Sequence, residues 1–174
     1  MMDSSLFVGV TMERGSLRIE INIAQQKLSL LEGEEVLAHY SVSTAANGPG
    51  EIQDSECTPR GHHVIHGKIG ATCPFNTVFV SRQPTGEIYT PALRAHFPER
   101  DWIVTRILWL CGTEPGRNLG GNVDSMGRYI YIHGAPEDVP MGRPGSRGCI
   151  RMRNHDVVEL FDRVAVGTAV IIGE

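Results

Sequence analysis

Seven residues near the start of the chain, Leu17-Arg-Ile-Glu-Ile-Asn-Ile23, alternate apolar and polar side chains without a break. Successive side chains of an extended chain point to opposite faces, so this run predicts a strand with one buried face. A second strand follows at residues 27–31 after the Ala24-Gln25-Gln26 turn. Glu32-Gly33-Glu34-Glu35 reads as a hairpin turn into a third strand at residues 36–43. The opening third is thus expected to be an antiparallel meander.

Turn signals recur beyond it, in keeping with 20 glycines and 10 prolines. Residues 45–54 read as a Gly/Pro-rich loop, and Thr58-Pro59-Arg60-Gly61 as a turn into a strand at 62–66. Residues 78–80 and 102–110 read as buried strands, 92–100 as the place of a short helix, and 128–133 as a strand whose last residue is His133. Val157, Leu160, Phe161 and Val164 share one helical face. Asn154 is the expected N-cap of that helix, Asp156 lies in its first turn, and Gly167 is its stop. Residues 169–172 read as a closing strand. The expected fold is mainly β with one main α-helix near the C-terminus, a single domain over residues 1–174.

Charge and composition narrow the function classes. Sixteen basic and 20 acidic residues give a net charge of −4 with no Lys/Arg run, so no nucleic-acid partner is expected. No apolar run approaches the roughly 20 residues of a spanning helix, so no membrane span is expected. Residues 1–10 show no basic leader region, from which a cytoplasmic protein is expected, or a periplasmic one if a leader has been trimmed. The four cysteines, Cys57, Cys73, Cys111 and Cys149, are widely and irregularly spaced, which favours free thiols over disulfides.

The richest chemistry lies in Tyr129-Ile-Tyr131-Ile-His133-Gly134 and, after a Pro/Gly-rich loop, Ser146-Arg147-Gly148-Cys149-Ile150-Arg151-Met152. A thiol is a nucleophile only as thiolate, and an imidazole has the intrinsic pKa to take its proton and later return it to a leaving amine. His133 and Cys149 are the candidate base and nucleophile, and a backbone carbonyl is the candidate orienter of the second ring nitrogen. Gly148 permits unusual dihedrals, and the N–H groups of Gly148 and Cys149 are candidate oxyanion donors. Arg147, Arg151 and Arg153 supply positive charge for the thiolate or for a substrate carboxylate. Tyr131, with Tyr129, Trp102 and Trp109, is a candidate for the groove, although strand aromatics are more often core.

His133-Gly134 with Ser146-x-Gly148-Cys149 resembles the signature of the YkuD-type L,D-transpeptidase family. The hairpin containing Gln25-Gln26-Lys27-Leu28-Ser29-Leu30, then Val42-Ser43-Thr44 and Thr58-Pro59-x-Gly61, extend the resemblance over about residues 17–172. The resemblance implies a β-sandwich catalytic domain needing no cofactor, with Cys149 as nucleophile, His133 as base and Gly134 beside it. It also implies Ser146, Arg147, Gly148, Arg151 and Tyr131 around the substrate. The implied partner is a peptidoglycan stem peptide or muropeptide, and carbapenem-type β-lactams are implied covalent inhibitors. Cys149 would attack the carbonyl of the third, L-centred residue and expel a terminal D-alanine, with water or an amine as the acceptor. Arg147 and Ala135 place the chain in a Ser-Arg-Gly-Cys branch. Hydrolysis during wall recycling is the expected outcome and 3–3 cross-linking the alternative. A rival from another class is a metal site built on Cys57, His62, His63, His66 and Cys73, although strand alternation sets His63 opposite His62 and His66. A wall-peptide binder without turnover is the third reading.

Overall fold

The computed structural model of the chain describes residues 16–174; residues 1–10, read above for a leader, lie outside them. β1 (Leu17–Asn22), β2 (Lys27–Glu32) and β3 (Glu35–Ser43) form the expected antiparallel meander. Its alternation has the expected result: Ile19 pairs with Leu30 and Ile21 with Leu28, all four side chains being buried. β4 (Gly61–Ile69), β5 (Thr77–Val80), β6 (Gln83–Ile88) and the short α1 (Pro91–His96) follow. β7 (Ile103–Gly112), β8 (Tyr131–Ala135), β9 (Ile150–Arg153), α2 (Asn154–Arg163) and β10 (Ala169–Gly173) complete the described chain.

The strands are ordered β4-β10-β1-β2-β3-β9-β8-β7-β5-β6, and β4 pairs with β7 as well. That extra pairing closes β4, β10, β1, β2, β3, β9, β8 and β7 into a ring, with the β5–β6 hairpin hanging from β7. One face of each ring strand supplies the main core, including Ile19, Leu30, Val42, Ile65, Ile132 and Ile150. The helical face read from the sequence enters the same core through Val157, Leu160, Phe161 and Val164. Each such aliphatic side chain contributes about 1.5–3 kcal/mol on burial. Lys68 Nζ donates to the carbonyls of Phe161 and Val164 at 2.7 Å each, satisfying backbone acceptors at the end of α2.

Several boundaries and one element differ from expectation; α2 ends at Arg163 with Val164 as its C-cap, short of the expected stop at Gly167. β8 begins at Tyr131, because residues 124–129 fold into a tight turn in which Tyr129 takes φ +57°. His133 therefore lies inside β8. Asn154 is buried in the first position of α2, and Arg153 holds the N-cap place without a side-chain cap. β6 was not expected: Gln83-Pro-Thr-Gly-Glu-Ile is a poor strand sequence, kept extended by its pairing with β5 at the sheet edge. β4 runs past residue 66 because β7 lies beside it as far as Ile69.

Candidate active site

Parallel pairing of β8 and β9 brings the two sequence signals together. Ile132 lies opposite Ile150 and His133 opposite Arg151, which puts Tyr131 beside Cys149 in the preceding row. Residues in register on neighbouring strands face the same way, as do residues two apart on one strand. Tyr131, Cys149 and His133 thus share the sheet face opposite the main core.

The thiol is held by backbone. Cys149 Sγ accepts the N–H of Tyr131 at 3.3 Å and donates to the carbonyl of Tyr129 at 3.4 Å. His133 is fully buried, and its Nδ1 lies 2.6 Å from the carbonyl oxygen of Gly134. A carbonyl only accepts, so Nδ1 carries the ring proton and Nε2 presents a lone pair. The orienter is thus the backbone of the next residue. Nε2 has no hydrogen-bond partner among the described residues. Burial pushes the Cys149 thiol up to about 12 and lowers the pKa of His133, so the resting pair is neutral thiol and neutral imidazole.

The turn before Cys149 is built from inside. Ser146 Oγ donates to the carbonyl of Cys149 at 2.5 Å and accepts the N–H of Gly148 at 3.2 Å. Thr58 Oγ1 donates to the carbonyl of Gly148 at 2.9 Å. Gly148 takes φ +131°, and a Cβ there would stand 3.2 Å from the carbonyl oxygen of Cys57. Two expectations change. Ser146 braces the turn and does not line the cleft, and the N–H of Gly148 is directed to Ser146, which leaves that of Cys149 as the candidate oxyanion donor of the pair.

A cleft of about 350 Å³ opens over the thiol, walled by Arg82, Asp101, Arg128, Tyr129, Tyr131 and Arg147, among others. The arginines differ in their commitments. Arg128 donates to the carbonyls of Gly50, Glu51 and Cys57. Arg151 is paired with Asp101 at 3.2 Å and donates to the carbonyl of Gly145, and it lines the neighbouring cavities rather than this cleft. Arg147 is exposed and donates to the carbonyl of Glu99 at 3.2 Å. Sequence reasoning missed Arg82, Asp101 and the bond from Thr58. For Arg82 a signal existed: the two-residue connection Ser81-Arg82 between paired Val80 and Gln83 lacks the Gly or Asn that such a hairpin favours.

The five residues of the metal reading do not converge. His63 is buried, with Nε2 2.8 Å from Ser125 Oγ and Nδ1 3.1 Å from the carbonyl of Gly61. His66 stacks edge-on against Trp109, Cys73 packs beside Phe79 and Ile107, and Cys57 Sγ faces the carbonyls of Asn47 and Ser55. Among the described residues no group of three or more His, Cys, Asp or Glu side chains is placed to hold an ion. Trp102 packs in a small core with Tyr89 and Val104, away from the thiol. Asn118 is buried and donates to the carbonyls of Arg60 and His62.

Known proteins are similar to this chain in sequence and in fold. YbiS of Escherichia coli (strain K12), named "Probable L,D-transpeptidase", is 32% identical over 105 residues, which cover 60% of this chain and 34% of that protein. The chain thus matches about a third of that relative's length. An L,D-transpeptidase structure from Mycobacterium smegmatis superposes with a TM-score of 0.55 at 21% identity, covering 91% of this chain and 59% of the other. L,D-transpeptidase 3 from Mycobacterium tuberculosis, in complex with a faropenem-derived adduct, gives a TM-score of 0.56 at 16% identity, covering 91% of this chain and 60% of the other. At those identities the structures speak for the fold. The profile of the YkuD family, the L,D-transpeptidase catalytic domain, matches residues 16–172, and the chain belongs to that family.

Proposed function

We propose that the protein is a cysteine acyl-transferase acting on peptidoglycan stem tetrapeptides, and that it passes the acyl group to water. The observation that carries this reading is the unpartnered Nε2 of His133, on the same sheet face as the Cys149 thiol at the floor of the cleft. The thiol turns from the Tyr129 carbonyl and gives its proton to Nε2 as Sγ attacks the carbonyl carbon of the third, L-centred residue. The N–H of Cys149 donates to the oxyanion. Collapse breaks the C–N bond, and the imidazolium returns its proton to the amine of the departing D-alanine. Water then gives a proton to Nε2, attacks the thioester and releases the tripeptide, and the thiolate recovers that proton. The proton has one acceptor throughout, because the Gly134 carbonyl holds Nδ1–H in place.

Water is favoured by access. Cys149 is half-buried and lines the cleft, so water reaches the thioester unaided, whereas an amine must be delivered on a second peptide. The second reading, transfer to such an amine, is supported by a neighbouring cavity in which a second peptide can lie, lined by Arg143 and by the paired Arg94 and Asp138. The substrate we have in mind for hydrolysis is a soluble muropeptide released during wall turnover. Incubation with a defined tetrapeptide, read by mass spectrometry, is expected to give tripeptide and free D-alanine; exclusive formation of cross-linked dimer would overturn hydrolysis. Cys149→Ala is expected to abolish turnover. A penem or carbapenem should add one mass equivalent to the parent protein and none to Cys149→Ala, in keeping with the faropenem-derived adduct on the mycobacterial enzyme.

A further inference from the structure

We propose that Arg82 is the specificity residue of this cleft, and that it receives the free C-terminal carboxylate of the residue that leaves. The proposal rests on the reading of the cleft as an acyl-transfer site and names the class of peptide it accepts: those whose departing residue ends in a carboxylate.

Arg82 is a cation fixed in position, with no counter-charge among the described residues. Its guanidinium carbon lies 4.6 Å from the centre of the Trp109 ring and 4.8 Å from that of Tyr129. Its Nη1 donates to the hydroxyl of Tyr131 at 2.9 Å. Two aromatic faces and one acceptor hold a planar group whose remaining N–H donors suit a carboxylate. No carboxylate pairs with it among the described residues, and Asp101, the acidic side chain on the cleft wall, is engaged by Arg151. Burial holds the Tyr131 phenol above its ordinary pKa, so this partner does not neutralise the cation.

The backbone under Arg82 is strained to the same end. Ser81 and Arg82 occupy consecutive left-handed positions, φ +49° and +64°, in the hairpin between β5 and β6. Side chains other than glycine take that region at a cost, and such strain persists where the surrounding structure imposes it. Here it turns Arg82 back over the cleft.

The other arginines are excluded by what they already do. Arg128 is bonded to three carbonyls, and Arg151 to Asp101 and Gly145. Arg147 is exposed with no aromatic platform, so ordering it on a ligand costs side-chain entropy that Arg82 has already lost.

Reach agrees. Tyr131 meets Cys149 through its N–H and Arg82 through its hydroxyl, so one tyrosine side chain separates nucleophile from cation. In a peptide the last carboxylate carbon lies within about 4 Å of the scissile carbonyl carbon. A charge-assisted hydrogen bond adds about 2.8 Å.

The test compares a tetrapeptide ending in a free acid with its C-terminal carboxamide. Binding is measured calorimetrically to Cys149→Ala, with and without Arg82→Gln or Arg82→Lys, and near-UV circular dichroism reports the fold of each variant. Cys149→Ala is expected to prefer the acid by about 10- to 100-fold, as a charged hydrogen-bonded pair does. Arg82→Gln should bring the two peptides together and Arg82→Lys should keep part of the difference. No preference in Cys149→Ala, or a preference that survives Arg82→Gln, would overturn the assignment. Turnover by the parent protein separates the two claims. Preferential binding of the acid without cleavage sinks acyl transfer and leaves the carboxylate receptor standing, whereas equal cleavage of acid and amide does the reverse.

Discussion

A methyl group added at Gly134 would stand 2.5 Å from the Val104 carbonyl oxygen, 2.6 Å from Asn154 Oδ1 and 3.0 Å from Thr105 Cβ. Two of these neighbours are on β7 and one on α2, and a backbone carbonyl cannot swing aside. Gly134→Ala is therefore expected to cost about 1–3 kcal/mol of stability as overpacking, read by urea denaturation. Turnover should fall further than that loss explains, because the Gly134 carbonyl that orients His133 moves with the clash. A variant with parent stability and parent turnover would refute this. The His-Gly pair was visible in the sequence, but its reason was not: the atoms that exclude a Cβ come from segments about 20 to 30 positions away. The same holds for Gly148, whose neighbour Cys57 and brace Thr58 lie about 90 positions earlier. A thiol and an imidazole identify themselves by type, whereas Arg82 became visible only when a hairpin set it between Trp109 and Tyr129.

At the scale of elements, β7 changes partner across a bulge. Residues 103–104 pair with β5, and from Ile107 onward the strand pairs with β4. Thr105 sits at the change, fully buried, with φ +75° in a β-branched residue that disfavours it. A small polar knot holds it. Thr105 Oγ1 donates to Asn154 Oδ1 at 2.6 Å and accepts the N–H of Asn76 at 3.0 Å, while Asn154 Nδ2 donates to Asn76 Oδ1 at 2.9 Å. Asn154→Ala leaves the buried Thr105 hydroxyl and the half-buried Asn76 amide oxygen unpaired and should cost about 1–3 kcal/mol. Had Asn154 been the N-cap read from its sequence position, Asn154→Ser would restore most of that loss; the knot predicts that serine, too short to reach Asn76, recovers little. Denaturation of the two variants side by side decides between these roles. Periodicity made the meander and the apolar face of α2 legible, since both patterns are local. The bulge and β6 escaped it because each depends on which strand happens to lie alongside.

On the scale of the whole molecule, β4 closes the ring, and one of the side chains that fasten it to the rest is a buried histidine. His63 on β4 is bonded to Ser125 in the stretch leading to the Tyr129 carbonyl that holds the thiol. Desolvation by burial is the main cause that lowers its pKa from 6.5 to about 4; the facing Glu114 opposes this, and His62 and Arg117 add to it. Above pH 6.5 the ring is neutral in folded and unfolded chains alike, and its hydrogen bonds contribute in full. As pH falls from 6.5 towards 4, the unfolded chain takes up a proton that the folded one refuses. Stability then declines by up to 1.4 kcal/mol per pH unit, about 3 kcal/mol in all. His133, lowered by burial as well, acts in the same direction. The carboxylates of Glu51 and Glu114, held below their ordinary range by Arg60 and by the His62 backbone N–H respectively, add their loss only at lower pH. Urea denaturation at pH 7.5, 6.0, 5.0 and 4.5 is therefore expected to show a steady decline in the parent protein. His63→Gln should start lower by about 1 kcal/mol, for imperfectly replaced hydrogen bonds, and then follow a shallower slope, because glutamine binds no proton. Parallel curves for the two proteins would show that the closure does not carry the acid sensitivity.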